Sequence, residues 1–316
     1  MSAIPRPLVL KATVTGVLIA GLLWSIDLVH VAERMARFDP GLLALALAAV
    51  LAAILLSAWK WGLILAARGH PLPFLRLVRH YLVGLFFNNL LPSTIGGDAV
   101  RAWETSRDTG EVPEAVGSVL TERLIAGAAL GLTAAIGLPF TATGAHLGWL
   151  VLLFLAINLA LAGIVLLPHV AEKITRGLLP KQFPDVADTV LRTVGAVRTT
   201  ISTPAILGRV LGLSILFQIL VAAVNAALFS AMGTPVPLAA CIILTPMIFT
   251  ITMIPVSLSG LGVREAAYVY FFAQVGVRPE EAILASLSFF FIVGLASLPG
   301  APLFLIGRRK SLFVTE

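Results

Sequence analysis

The stretch Asn88–Trp103, "NNLLPSTIGGDAVRAW", sets two amides, a proline, two adjacent glycines, an aspartate and an arginine into a chain that is otherwise mostly hydrocarbon. Glycine and proline do not sustain a regular helix through such a point. Backbone unwound at membrane depth leaves N–H and C=O groups without partners. It survives only when buried in protein or lining a wet cavity. The meaning of the stretch therefore depends on the solvent around the chain.

Composition identifies that solvent. Hydrophobic residues make up 59% of the 316 and charged residues 12%, and the mean hydropathy is +1.00. Soluble domains carry about 25% charged residues, so these charges are too few to cover a water-facing surface. Gly41–Ala67 holds one charge, Lys60, while Leu147–Leu167 and Val210–Met232 hold none. Each run exceeds the roughly 20 residues that cross about 30 Å of hydrocarbon. The strands of a membrane barrel would be short and alternating. The fold class is therefore all-α: a polytopic helical membrane protein with about six full spans plus two broken or re-entrant helical hairpins.

The spans fall at Leu8–Val29, Gly41–Ala67, Pro113–Leu138, Leu147–Leu167, Ala205–Met232 and Glu281–Ile306. The broken regions are Tyr81–Gly110, split at Pro92–Gly97, and Leu238–Val275, split at Pro255–Gly262. Tyr81–Leu91 gives only about 11 residues, or about 16 Å of helix, which predicts a re-entrant first hairpin. The second region is longer and leaves a hairpin and two crossings both open. Arg6 and Lys11 precede an apolar run with no small-residue cleavage site, the pattern of a first span rather than a removed signal. No long polar block occurs, so one integral membrane domain, 1–316, is expected, without an appended catalytic domain.

The net charge of +6 fits membrane loops better than nucleic acid. With the N-terminus inside, Arg68, Arg76, Arg79, the Val170–Thr203 segment and Arg308–Arg309–Lys310 all lie on the cytoplasmic side. Arg34, Arg37 and Arg278 lie opposite. This bias, with a composition low in Lys and high in Ala, Leu and Arg, predicts a bacterial cytoplasmic (inner) membrane protein with both termini cytoplasmic. Cys241 stands alone and the five histidines lack ligand spacing, so no metal and no cofactor are expected.

In this topology 41–138 reads span, hairpin, span, and 205–306 repeats the order upside down. Around the breaks, "LPSTIGGDAVRAW" and "IPVSLSGLGVREAAY" share proline, serine, close-set glycines, and then neighbouring acid and arginine. Inverted repeats with broken helices in matching positions point to a transporter site near the midplane. Between the units, Val186, Val190, Val194, Val197 and Ile201 recur at helical spacing in the segment 170–203, predicting an amphipathic connector on the inner leaflet.

Candidate binding residues gather at the breaks. In the first, Gly96 and Gly97 free backbone amides, Asn88, Asn89 and Ser93 add polar groups, and Asp98 either caps the following helix or pairs with Arg101 three residues on. Arginine suits bidentate phosphate binding, and helix N-termini suit anions. In the second, Ser257, Ser259, Gly260 and Gly262 precede Arg264 and Glu265. Such charges are functional candidates, or else pair with each other or with the first hairpin. Glu122 and Arg123 sit about ten residues into a span, too deep for easy snorkelling by Glu122; they are expected to face the hairpins, the alternative being a later helix start that leaves them near the interface. Lys60 is expected to snorkel, with Trp59 and Trp61 forming an interfacial belt. No hydrolase elbow, P-loop or zinc helix is present.

"NNLLPSTIGGDAVRAW", "AVGSVLTERLIAGAALGL" and "PVSLSGLGVREAAYVYFF", in this order, resemble the transmembrane region of the lysylphosphatidylglycerol synthase family, also described as flippase-like. The resemblance covers nearly the whole chain. It implies a lipid-translocating role for the membrane part, with Asn89, Pro92, Gly96, Gly97, Asp98, Arg101, Glu122, Arg123, Gly260, Gly262, Arg264 and Glu265 at the recurrent motif positions. Family proteins fused to a soluble transferase also synthesise the lipid; no such domain, and so no such synthesis, is expected here.

The leading expectation is a lipid flippase or transporter. A headgroup would meet Arg101, Arg123 and Arg264 between the hairpins, balanced by Asp98, Glu122 and Glu265. The substrate would be an anionic or aminoacylated phospholipid, or a polyprenyl-linked lipid. The alternative is a membrane-embedded enzyme, or an accessory subunit, of lipid-linked glycan or aminoacyl-lipid metabolism. The partners compatible with either are the bilayer, a separate lipid-modifying enzyme and a second copy of the chain, with no nucleic acid.

Overall fold

A computed structural model describes residues 38–90, 96–140, 148–178, 184–253 and 260–312, with side chains as far as 306. The predicted first span, Leu8–Val29, lies outside them, as do Ser93, Ser257 and Ser259. The described residues are almost entirely helical and contain no strand. In chain order the helices are α1 (Pro40–Ala67), α2 (Phe74–Leu90), α3 (Gly96–Thr109), α4 (Val112–Gly137), α5 (Gly148–Leu166), α6 (Pro168–Leu178) and α7 (Pro184–Ile201). They continue as α8 (Pro204–Ala231), α9 (Leu238–Thr252), α10 (Val263–Phe272), α11 (Pro279–Ser297) and α12 (Gly300–Leu312).

Helices repeatedly begin at proline: Pro40, Pro168, Pro184, Pro204 and Pro279 are all first residues. A first-turn N–H has no helical acceptor, so proline loses nothing there and presets φ. Before Pro40, Asp39 caps α1 by accepting from the Leu42 N–H at 3.0 Å.

Five stretches are long and apolar enough to cross a membrane: Pro40–Ala67, Val112–Phe140, Gly148–Leu166, Pro204–Ala231 and Pro279–Ile306. They match five of the expected spans, with one correction. Glu281–Ile306 is not continuous: α11 stops at Ser297 and α12 starts at Gly300. Pro299 has no N–H for the helix and its ring crowds the preceding turn. The first broken region also differs in length. α2 has 17 residues rather than about 11, because the polar turn with Arg76, Arg79 and His80 is already helical. The second region comprises α9, with 15 residues, and α10, with 10. Both fall short of the roughly 20 needed for a crossing. The 170–203 segment is two packed helices, α6 and α7, rather than one. Val197 and Ile201 are buried while Val186 and Val190 are exposed, so the apolar stripe serves protein at one end only.

The chain forms two compact units. One takes in the described residues of Met1–Ala52, Leu130–Leu153 and Gln218–Ala296. Its core gathers Phe229, Met247, Ile248, Tyr268, Phe271 and Phe272, with the Phe229 and Phe272 rings 4.5 Å apart. The other takes in the described residues of Ala53–Ala129, Phe154–Phe217 and Ser297–Glu316. Its core is built on Ala58, Trp61, Leu65, Leu77 and Val119. In α5 only 6% of the most apolar window is buried, so its leucines are left to lipid.

In the second of these units α2 and α3 pack as a hairpin at a glycine crossing. A Cβ on Gly97 would collide with the Gly84 carbonyl oxygen, so the backbones meet without side chains between them. α12 packs on α2, where Gly300 faces the Leu82 carbonyl and the Phe87 and Phe304 rings lie 5.0 Å apart. Gly97→Ala is therefore expected to lower stability by roughly 1–3 kcal/mol through backbone displacement. Gly163→Ala, facing open space, should stay within about 0.5 kcal/mol. Thermal unfolding of both variants in the same detergent checks the contrast.

Candidate functional site

Arg101 is the hub of the first hairpin. It is buried on α3, and its Nη1 lies 2.7 Å from Glu122 Oε2 on α4. Its Nη2 lies 3.6 Å from Asp98 Oδ1. The guanidinium is stacked between Trp61 and Tyr81, at 4.8 and 5.0 Å from the ring centroids. Cation–π attraction of this kind strengthens as water is removed. Asp98 is held chiefly by Arg123, through a two-point pair of 2.7 and 3.0 Å. Glu122 also reaches Lys60 Nζ at 3.5 Å, and Lys60 lies over the Phe217 ring. Among the described residues, three cationic side chains thus face two carboxylates, a formal excess of one positive charge. Arg123, with 45% of its side chain exposed, is the most exposed of the five.

Two expectations fail here. Lys60 does not snorkel, because its side chain is 3% exposed and turned to Glu122. Trp61 is not interfacial: it is fully buried and donates Nε1–H to Ser118 Oγ at 3.0 Å. Trp59, two residues earlier and on the opposite side of the helix, is exposed.

Asn88, near the end of α2, reaches across to α3. Its Oδ1 accepts from the Gly97 N–H at 2.9 Å, so α2 supplies a cap to the start of α3. Asn89 Nδ2 donates to Ser297 Oγ at 3.1 Å. Gly96 begins α3.

Below Arg101 on the same face of α3 lie Glu104 and Asp108. His80 of α2 bridges them, with Nδ1 2.8 Å from Glu104 Oε2 and Nε2 2.7 Å from Asp108 Oδ2. Arg79 pairs with Glu104 at 2.8 Å, and Arg76 lies 3.5 Å from Asp108. Sequence reasoning missed this set. Its one signal was Glu104 and Asp108 at i, i+4 spacing on a predicted helix.

The second hairpin holds its own charges, in the other unit. Arg264 Nη2 lies 2.6 Å from Glu265 Oε1. Ser286 donates to the same oxygen at 2.9 Å, and Arg264 stacks on Phe290 at 4.7 Å. Glu265 Oε2 accepts from the Gly262 N–H, closing the first turn of α10 from the inside. Gly262 has φ 82°, a conformation side chains resist, and it lets the chain turn into that cap. Gly260, also at positive φ, abuts Thr252. Unlike the Arg101 cluster, this pair is neutral and closed on itself. Deeper in the same unit Tyr268 donates to Asn225 Oδ1 at 2.7 Å, a polar link between α10 and α8 that the apolar runs concealed.

Residues 8–300 match the family described as Lysylphosphatidylglycerol synthase TM region. No curated protein matches the chain.

Removing one partner of a buried ion pair strands the other. Glu122→Gln leaves Arg101 and Lys60 without their shared carboxylate, and is expected to destabilise by roughly 3–5 kcal/mol. Lys60→Met in the Glu122→Gln background should recover part of that loss. Tyr268→Phe, which breaks one neutral hydrogen bond, should lose only about 1 kcal/mol. Unfolding of the purified variants in one detergent ranks the three.

Proposed function

The chain belongs to the Lysylphosphatidylglycerol synthase TM region family, and on that premise we propose that it moves a polar-headed phospholipid between leaflets. Membership makes it an integral membrane protein linked to lipid metabolism or transport. The observation that carries the finer reading is the unbalanced charge around Arg101. A surplus cation held among apolar helices is unfavourable unless a mobile anion completes it, and a lipid phosphate is the anion a bilayer supplies. Arg123 offers the phosphate a planar two-point donor. Asp98, released from Arg123, would then face a cationic headgroup moiety such as an aminoacyl ammonium. The acyl chains would remain in lipid throughout.

In this reading Lys60 and Glu122 hold the guanidinium of Arg101 in place, and Arg101 and Arg123 bind the headgroup. The protein sits in a bacterial cytoplasmic membrane with both termini inside, as the bias of Arg and Lys supports. The test is reconstitution of the full chain into vesicles with headgroup-labelled anionic, aminoacylated and zwitterionic lipids. Exposure to a membrane-impermeant quencher reports leaflet exchange. Wild type should exchange anionic or aminoacylated lipid faster than protein-free vesicles, and Arg123→Gln should slow it by about tenfold, the effect of one lost charged contact. No acceleration for any lipid in the panel removes the proposal.

A further inference from the structure

His80 is buried on α2 with both ring nitrogens committed to carboxylates: Nδ1 to Glu104 and Nε2 to Asp108. An imidazole can satisfy two carboxylates at once only when both nitrogens carry hydrogen. A neutral ring would turn a lone pair toward one of the two oxygens at 2.7–2.8 Å. The surroundings decide which contact then fails. Glu104 is 6% exposed and pinned by Arg79. Asp108 is 24% exposed and, besides His80, is held among the described residues by the longer contact to Arg76. The neutral ring therefore keeps Glu104 as acceptor for its Nδ1–H and loses Asp108, which can turn to water.

We propose that His80, held between Glu104 and Asp108, is a proton-binding site whose occupancy decides whether the C-terminal end of α3 stays fastened to α2. Around His80, α2 contributes Arg76 and Arg79, and α3 contributes Glu104 and Asp108. α1 presents the Trp61 edge, with ring centroids 6.4 Å apart, while its cations are engaged elsewhere, Lys60 by Glu122 and Arg68 by Glu114. Arg101 is engaged by Glu122. α2 and α3 are not among the membrane-crossing stretches. Burial opposes the imidazolium, but the hydrogen bonds and charges of Asp108 and Glu104 outweigh it and raise His80 above the usual histidine range. Burial likewise opposes the Asp108 carboxylate, and His80, helped by Arg76 and Arg79, holds it below the usual range.

The signs define a window. The raised histidine stabilises fully below its ordinary pKa of about 6.5, and that contribution disappears as pH rises through the folded value. The depressed aspartate stabilises above about 3.9, and that contribution is lost as pH falls through the folded value. The fastening is thus complete between roughly pH 4 and 6.5 and loosens on the alkaline side. Tyr81, next to His80 in the chain, stacks on Arg101, so release of α3 alters the seat of the proposed headgroup site. This link to transport rests on the functional reading above.

Hydrogen–deuterium exchange of the full chain in detergent tests the proton site without any substrate. After correction for intrinsic rates, wild-type α3 peptides should exchange about tenfold faster near pH 8.5 than near pH 5.5, on either side of the ordinary histidine pKa. His80→Gln should exchange fast at both. Equal wild-type protection at the two pH values, or an unchanged pH dependence in His80→Gln, overturns the proposal. Should His80→Gln fail to fold, Asp108→Asn decides, because loss of one carboxylate must move the wild-type midpoint to lower pH. An unmoved midpoint overturns it. pH-dependent exchange in a chain that moves no lipid would remove the functional reading and leave the proton site standing.

Discussion

A guanidinium buried among apolar helices must keep anions and polarisable surfaces within a few ångströms or turn to water. Arg101 meets that condition with Glu122 at 2.7 Å and two aromatic faces. Each of those partners comes from a different helix: Trp61 from α1, Tyr81 from α2 and Glu122 from α4. The arginine thereby ties four elements together and sets how the hairpin is held against the spans of its unit. Ordinary apolar packing gives no such directionality between membrane helices, because side chains gain little by exchanging lipid for one another.

The two hairpins solve the same backbone problem in different ways. In the first, Asn88 from the incoming helix accepts from the N-terminal turn of the outgoing one, and bare glycine surfaces bring the helices close. In the second, Glu265 caps its own helix and neutralises Arg264 in the same stroke. The shared sequence layout of proline, glycines, acid and arginine therefore produces two electrostatic outcomes. Among the described residues one cluster has a formal surplus of one cation and a half-exposed arginine, whereas in the other arginine and glutamate are matched.

Most spans were legible because uninterrupted apolar runs of the right length leave a chain little choice in lipid. The break at Pro299 was equally legible in principle, but a hydropathy run passes over a single proline. Lys60 was misjudged because a long stem permits two opposite behaviours, and only the position of Glu122, distant in sequence, selects between them. His80, Glu104 and Asp108 were invisible as a set for a similar reason. Their meeting depends on the antiparallel register of α2 and α3, fixed where Gly84 meets Gly97. Local periodicity cannot supply that register.

The amide of Asn88 already occupies the place at the start of α3 where an incoming anion would dock. Any ligand seeking that N–H must evict a neutral resident rather than fill a vacancy. Weakly accepting groups would lose the contest and strongly charged oxygens would win it. Discrimination among ligands would then arise from a competitor built into the protein, before any contact with the arginines is made.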